Sequence, residues 1–226
     1  MSWSGGKDSA FALWKLMNDA KFEVVRLHTT FGEENRRVGM HGIHESLLEQ
    51  QAESIGLPLD KLYYPASGDN TAYETVINKY LDDLKEADIG SIAFGDIFLE
   101  DLKIYRENQL TKKNFKAVFP LWNAKTTQTA RDFIAAGFQT MICAADADLI
   151  AEKWVGKIFN LDFLDNLPSQ VDPCGENGEF HTFCYDGPLF KKAIAVNTRE
   201  VLSKSYHFTT TEGKEIEKKF WFADLK

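Results

Sequence analysis

The stretch Ser4-Gly5-Gly6-Lys7-Asp8-Ser9 decides how the first half of this chain folds. It leads directly into a helical pattern from about Asp8 to Asn18, whose apolar face consists of Ala10, Leu13, Trp14 and Met17. Adjacent glycines let a backbone fold closely around an anion, and a helix N-terminus presents free N–H groups to it. The stretch therefore predicts a phosphate-binding loop, followed by a helix that packs on a sheet.

Each side chain of this loop can help to hold a phosphate chain. Lys7 would add a positive charge, and the hydroxyls of Ser4 and Ser9 would donate hydrogen bonds. The Asp8 carboxylate would bind a magnesium ion that bridges phosphate oxygens. The simpler alternative is an ordinary helix cap after a glycine turn. A Walker A loop is excluded, because four residues would have to separate its first glycine from the Gly-Lys pair.

Short apolar runs alternate with helical patterns along the first two thirds of the chain. The predicted strands are Phe22–Thr30, Leu62–Tyr64, Ile89–Phe94 and Ala117–Phe119, and helical patterns at Ile43–Ile55 and Thr71–Glu86 separate them. Strands separated by helices indicate a parallel sheet. Because Met1–Trp3 alone precede the phosphate loop in this sequence, we expect a central strand that is truncated or unusually short.

The pattern changes in the last third of the chain. A helical pattern at Thr126–Gly137 is followed by a strand at Thr140–Ala144 and a helical segment at Leu149–Val155. Alternating runs such as Tyr206–Thr210 and Lys219–Phe222 then indicate antiparallel strands. We predict an α/β domain over residues 1–140 and a smaller α+β domain over 141–226, with the change of pattern between residues 135 and 150.

Composition and charge narrow the class of protein. The chain has 226 residues, of which 44% are hydrophobic and 27% charged, as in a packed globular protein. The excess of 34 acidic over 26 basic residues argues against broad nucleic-acid binding through phosphate neutralisation. No apolar run approaches the roughly 20 residues that cross a bilayer, and the N-terminus does not resemble a signal peptide. Three cysteines without a CxxC pair favour reduced thiols. We therefore expect a cytoplasmic protein with no membrane or nucleic-acid partner.

Further candidate residues follow the strand that ends near Phe94. Gly95 and Asp96 lie at the carboxyl edge of the predicted sheet, where open α/β folds bind ligands. Asp96 is placed for magnesium or pyrophosphate; an ordinary turn is the alternative. Arg106, on the polar segment that follows, can pair with a phosphate or carboxylate, or form a solvated ion pair.

The loop Asp172–Glu179 gathers two glycines and two glutamates. Glu176 and Glu179 can position ammonium, bind a cationic substrate or act as a base, whereas an ordinary acidic turn is the alternative. Cys174 suggests a thiol nucleophile, but a small buried cysteine is the favoured interpretation.

His41 and His44 are spaced to share one helical face. With no third metal ligand evident in the sequence, a cap or core role is favoured for both.

Together these motifs resemble the diphthine-ammonia ligase family, which is similar to N-type ATP pyrophosphatases of the PP-loop superfamily. SGGKDS resembles the pyrophosphate loop, and Gly95–Glu107, Pro120–Trp122 and Asp172–Phe183 follow in the family's order over roughly residues 2 to 190. His181 stands where some relatives carry Glu. The resemblance implies a HUP-class Rossmann-like domain that carries ATP, a parallel sheet with helices on both faces, and a smaller C-terminal α+β domain.

The resemblance also implies an ATP-dependent amide-forming ligase. A substrate carboxylate would attack the α-phosphorus, pyrophosphate would leave into the loop, and ammonia would displace AMP from the acyl-adenylate. Catalysis would involve Lys7, Asp8, Asp96, Glu176 and Glu179. ATP and Mg²⁺ would be bound by Ser4, Gly5, Gly6, Lys7, Asp8, Ser9, Thr29, Thr30 and Gly95, with Asp8 as the metal ligand. The acceptor and ammonium would be bound by Glu100, Tyr105, Arg106, Cys174, Gly175, Glu176, Asn177, Gly178, Glu179 and His181.

The acceptor implied by the resemblance is diphthine, a modified histidine of elongation factor 2. Two alternatives stay open: an ATP pyrophosphatase of the same fold with a different acceptor, and a non-catalytic nucleotide-binding sensor. The Lys7-Asp8 pair together with the Glu176–Glu179 loop disfavours a sensor. A tRNA-thiolating enzyme is disfavoured because the chain has no CxxC pair and an acidic balance. The sequence leaves the oligomeric state open, with a homodimer as one assembly to test.

Overall fold

The computed structural model describes residues 1–65, 70–209 and 215–226, and it confirms the predicted α/β class. The helices are α1 (Lys7–Met17), α2 (Glu45–Ile55), α3 (Asn70–Glu86), α4 (Glu100–Thr111), α5 (Thr126–Ala135) and α6 (Leu161–Asp165). The strands are β1 (Leu27–Gly32), β2 (Leu59–Tyr64), β3 (Ser91–Ala93), β4 (Lys116–Val118), β5 (Gln139–Asp146), β6 (Phe180–Asp186), β7 (Thr198–Thr209) and β8 (Glu215–Leu225).

The residues before the phosphate loop join two parallel strand pairs into one sheet. β1 pairs with β2 and β3 pairs with β4, in both cases in parallel. Between these pairs, the Trp3 N–H donates to the His28 carbonyl at 2.8 Å and the Ser2 N–H donates to the Ala93 carbonyl at 2.9 Å. Met1–Trp3 therefore form the short central strand that the sequence predicts, and the phosphate loop begins at its carboxyl end.

The second sheet is antiparallel and has the strand order β6-β5-β8-β7. Its strand β6 reaches back to the first part of the chain, because the Cys184 N–H donates to the Gly5 carbonyl at 2.8 Å. One continuous apolar core includes Phe11 of α1, Phe133 of α5 and Phe183 of β6. The second sheet therefore packs directly behind the phosphate loop.

Several predicted boundaries differ from the structure. β1 begins at Leu27 rather than Phe22, because its partner strand begins after Pro58, which has no N–H to extend the ladder. The predicted helix at Leu149–Val155 contains only a 3₁₀ turn, Glu152–Trp154. The predicted division into two domains at residue 140, a position that lies in β5, stays a prediction.

Two further predictions concern the end of the chain and the membrane. The predicted strand Tyr206–Thr210 lies in β7 as far as Thr209, and Thr210 lies outside the described residues. Among residues 1–65, 70–209 and 215–226, no helix is long and apolar enough to span a membrane.

Candidate active site

A cavity of about 230 Å³ opens where α1 begins. Its walls come from three segments that are distant in sequence: the phosphate loop, the segment from the end of β3 into α4, and the C-terminal loop with β6. The lining residues are Ser4, Lys7, Asp8 and Ser9 from the first; Phe94, Gly95, Asp96, Leu99, Leu102 and Arg106 from the second; and Gly175, Glu176, Gly178, Phe180, His181 and Thr182 from the third, with Ser2 and His41. The fold thus brings the three predicted motifs together.

The phosphate loop is packed so tightly that glycine is required at position 5. Gly5 has φ +78°, and a Cβ on it would clash with Leu48 and lie 2.8 Å from Gln51 Oε1. α1 begins at Lys7, whose N–H donates to Thr182 Oγ1 at 3.0 Å. On the other side of the loop, a Cβ on Gly95 would lie 2.9 Å from the carbonyl carbon of Asp8. Strand β6 and the end of β3 therefore hold the helix N-terminus between them.

Lys7 links the phosphate loop to the C-terminal loop. Its side chain is 3% exposed, and its Nζ donates to the two Asp8 carboxylate oxygens at 2.9 and 2.7 Å and to the Cys174 carbonyl. Burial lowers the pKa of Lys7, but the Asp8 carboxylate, together with smaller contributions from Cys174 and Glu176, more than offsets burial, and the pKa lies above its usual value. Burial also raises the pKa of Asp8, and Lys7 offsets only part of this rise. Lys7 is therefore positively charged, with Asp8 as its partner in this structure, and its role in binding phosphate stays a prediction.

Glu176 connects the C-terminal loop to the segment after β3. Its Oε1 accepts hydrogen bonds from the Ile97 N–H at 2.7 Å and the Phe98 N–H at 3.3 Å. Burial raises the pKa of this carboxyl to about 7, although the two hydrogen bonds act in the opposite direction. A cavity carboxyl that titrates near neutral pH can accept or release a proton during a reaction.

Asp96 and Arg106, which the sequence places ten residues apart, form an ion pair in the cavity wall. Arg106 Nη2 donates a hydrogen bond to Asp96 Oδ1 at 3.2 Å, and Nε lies 2.7 Å from Asp96 Oδ2 without hydrogen-bond geometry, so the contact is an ion pair with one hydrogen bond. The Arg106 guanidinium also lies 4.3 Å from the centre of the Phe94 ring. The pair presents a fixed guanidinium plane to the cavity.

His41 and His181 meet in the cavity wall with their ring centres 4.6 Å apart. His41 Nδ1 and His181 Nε2 are buried and have no hydrogen-bond partner among the described residues. Burial lowers the pKa of His41 to about 4 and that of His181 well below its usual value, so both rings are neutral at pH 7. His44, by contrast, caps α2 by accepting from the Ser46 N–H, as the cap interpretation predicted.

Glu179 occupies a different position from Glu176. It is 4% exposed and accepts hydrogen bonds from the Asp172 N–H at 3.0 Å, the Asn177 N–H at 3.0 Å and Asn177 Nδ2 at 2.9 Å. These three bonds close the C-terminal loop on itself. The geometry favours a structural role for Glu179, and its catalytic role stays a prediction.

Other predicted site residues lie outside this cavity. The Thr29 hydroxyl donates to the Trp3 carbonyl at 2.5 Å and supports the sheet, and Thr30 follows it in β1. Glu100 begins α4, and Tyr105 lines a separate crevice between α3 and α4. Cys174 Sγ contacts the Thr126 carbonyl at 3.4 Å, and burial raises its thiol pKa, which disfavours a nucleophile.

Sequence reasoning missed Thr182 and did not place His41 in the site. Thr182 stands within the quoted C-terminal motif, so its position beside His181 was the available signal. His41 lies in a loop between β1 and α2, flanked by Met40 with φ +56° and Gly42 with φ +69°. A left-handed methionine carries no sequence signal, so the direction of this loop follows only from the structure.

Across the residues that the structure describes, no group of three or more His, Cys, Asp or Glu side chains could hold a metal ion. The carboxylates at the cavity suit a different arrangement. The cavity lining contains three carboxylates that do not form a metal-binding cluster with one another: Asp8, Asp96 and Glu176. A magnesium ion that is held mainly by phosphate oxygens needs only one or two such carboxylate ligands from the protein.

Two family models match this chain in succession. The model for the diphthamide synthase N-terminal domain matches residues 1–113, and the model for the diphthamide synthase C-terminal domain matches residues 125–221. The chain belongs to the diphthamide synthase family. The N-terminal match contains the phosphate loop and Arg106, and the C-terminal match contains Glu176 and His181, so the cavity lies where the two family domains meet.

Several curated proteins that are similar to this chain are named diphthine–ammonia ligase. The human protein is 28% identical over 231 residues, which covers 89% of this chain and 84% of the human one. The rat protein is 26% identical with the same coverage. The Schizosaccharomyces pombe protein is 26% identical over 222 residues, and this chain spans 36% of its length.

Proposed function

We propose that this member of the diphthamide synthase family is an ATP-dependent ligase that uses ammonia to convert diphthine to diphthamide and releases AMP and pyrophosphate. One observation carries the proposal: a single cavity joins the phosphate loop at the start of α1 to the loop that carries Glu176. A ligase needs both parts, because nucleotide and acceptor must meet to react. The names of the human and rat relatives support the choice of acceptor.

The N-terminal wall suits the pyrophosphate that leaves when the acceptor carboxylate attacks the α-phosphorus. The start of α1 offers backbone N–H groups and the positive end of the helix dipole. The Lys7 ammonium lies beside it, and phosphate oxygens can compete with Asp8 for this cation. This wall therefore stabilises the charge that develops on the leaving group.

The opposite wall suits ammonia. Ammonium dominates at neutral pH and must lose a proton before it can attack the acyl-adenylate. Glu176 faces the cavity with a pKa of about 7, so its ionised form can accept that proton. The Arg106 guanidinium, held in place by Asp96, can orient the acceptor carboxylate or a phosphate.

Magnesium belongs to the same proposal. Asp8, with Asp96 or Glu176 nearby in the cavity lining, would contribute a carboxylate oxygen to an ion that is held chiefly by the triphosphate. When bound, the ion would neutralise phosphate charge.

Location and assembly also stay proposals. A cytoplasmic location is compatible with the free, buried thiols of Cys143, Cys174 and Cys184. The proposal that the protein forms a homodimer is tested by measuring its mass in solution by sedimentation equilibrium.

The decisive experiment follows ATP labelled at the α-phosphate. The protein is incubated with this ATP, magnesium, ammonium and diphthine-bearing elongation factor 2, and AMP is separated from ADP. We expect labelled AMP that depends on both acceptor and ammonium. Label in ADP would overturn the mechanism. AMP formed only with a different carboxylate would show that diphthine is not the acceptor. The absence of product with any acceptor would favour a nucleotide sensor.

A further inference from the structure

Gln51 lies on α2, outside the cavity, and is completely buried. Its side-chain amide has a partner at both ends. Oε1 accepts a hydrogen bond from Trp3 Nε1 at 2.9 Å, and Nε2 donates to the Gly5 carbonyl at 3.0 Å and to the Cys184 carbonyl at 2.5 Å. One amide therefore joins the central strand, the phosphate loop and β6.

The Gly5 carbonyl receives two donors in this arrangement. Besides Gln51, the Cys184 N–H donates to it at 2.8 Å. Gly5 has φ +78°, and a glycine backbone can adopt many other conformations. The two hydrogen bonds therefore select one direction for the Gly5 carbonyl. The carbonyl is thereby fixed toward α2 and β6.

The direction of this carbonyl also determines the direction of the next N–H. The Gly5 carbonyl and the Gly6 N–H belong to one planar trans peptide group, in which C=O and N–H point in opposite directions. With the carbonyl held toward the interior, the Gly6 N–H points toward Ser4 Oγ, at 3.3 Å, and Ser4 lines the cavity. This N–H precedes α1, where a bound phosphate would be held.

We infer that Gln51 is a positioning residue that aims the Gly6 N–H at the phosphate group of the nucleotide. The inference rests on the proposed function, because it requires that the Ser4–Ser9 loop binds phosphate. Gln51 acts through the Gly5–Gly6 peptide group and does not itself line the cavity.

The test compares Gln51→Met with Ser54→Ala, a control on the same helix. Met has a similar volume but donates no hydrogen bond, so the Gly5 carbonyl keeps only the Cys184 N–H as a donor and its direction is less constrained. Ser54 is also buried and joins α2 to the C-terminal part, through the Lys192 carbonyl at 2.6 Å and the Lys192 N–H at 3.1 Å, without contact to the loop. Binding of magnesium pyrophosphate and of adenosine is measured by calorimetry, and urea denaturation shows that each variant is folded.

We expect Gln51→Met to weaken pyrophosphate binding by roughly tenfold or more, the effect of one misplaced hydrogen bond to a charged group. Adenosine, which lacks phosphates, should bind as it does to the unmodified protein. Ser54→Ala should lower the urea midpoint and leave the affinity for pyrophosphate unchanged. If Gln51→Met does not unfold cooperatively, Gln51→Asn replaces it, because its amide is too short to reach both carbonyls.

The outcomes that overturn the inference are distinct. If the unmodified protein does not bind pyrophosphate, the proposed function fails and the inference falls with it. If the unmodified protein binds and the Gln51 variant binds equally well, the inference alone fails. If Gln51→Met and Ser54→Ala weaken binding equally, or if adenosine binding falls as much as pyrophosphate binding, Gln51 has a general structural role.

Discussion

Replacing Gly5 by alanine tests how tightly the phosphate loop is packed. Gly5 has φ +78°, and this left-handed conformation costs an L-residue about 1 kcal/mol. The new Cβ would also clash with Leu48 Cδ1 and lie 2.8 Å from Gln51 Oε1. Leu48 and Gln51 are both fully buried, so neither side chain can move into open space. Overpacking of this kind costs about 1–3 kcal/mol, and we expect Gly5→Ala to lower the free energy of unfolding by about 2–4 kcal/mol.

Gly137→Ala is the matched control, because Gly137 has φ +89° but nothing within 4 Å of the position of its Cβ. It should lose only the conformational contribution, about 1 kcal/mol. Equilibrium urea denaturation of both variants gives the difference between their free energies of unfolding, provided that the slope of this free energy against urea concentration is the same in both. Equal losses in the two variants would refute the account of loop packing. Gly5→Ala should also weaken binding of magnesium ATP, whereas Gly137→Ala should not.

Three further predictions concern charged groups at the site. The stability of the unliganded protein should fall between about pH 4.5 and pH 7, because the folded Glu176 carboxyl, with its pKa raised to about 7, binds a proton more tightly than the unfolded one. Glu176→Gln should remove about 1–2 kcal/mol of that fall, a value reduced because the side chain is partly exposed. Urea denaturation from pH 4 to 8 measures it, and an unchanged pH profile in the variant would contradict the prediction. Lys7→Met should weaken binding of magnesium ATP by about 1–3 kcal/mol in calorimetry, and unchanged affinity would remove Lys7 from the phosphate site. Glu179→Gln should leave ATP affinity unchanged and lower the free energy of unfolding by about 1–2 kcal/mol, because Glu179 accepts three hydrogen bonds within its loop. Normal stability together with lost turnover would instead support a catalytic role for Glu179.

The parts of the site that could be predicted from sequence are those that depend on local backbone chemistry. Two glycines before a helical pattern require a tight turn at a helix N-terminus, and the structure has that turn at Gly5 and Gly6. Gly95 and Asp96 follow a buried strand, so their place at the sheet edge follows from chain direction alone.

The parts that could not be predicted depend on directions set by distant contacts. Glu176 and Glu179 are three residues apart in one loop, yet Glu176 lines the cavity whereas Glu179 accepts hydrogen bonds from within the loop. Gln51 reads as one polar residue on an amphipathic helix, and its role emerges only when Trp3, Gly5 and Cys184 meet around it. Such contacts have no local pattern in the chain.

The hydrogen bonds between β6 and the phosphate loop constrain how this protein can evolve. Thr182 and Cys184, from the C-terminal half, hold Lys7 and Gly5, from the N-terminal half. Recombination that exchanged the C-terminal half for that of a relative would therefore alter the support of the Ser4–Ser9 loop along with the Asp172–Glu179 loop. A β6 strand exchanged into this protein must therefore carry a hydroxyl at position 182 and keep the main-chain N–H of position 184 in register if the Ser4–Ser9 loop is to keep its shape.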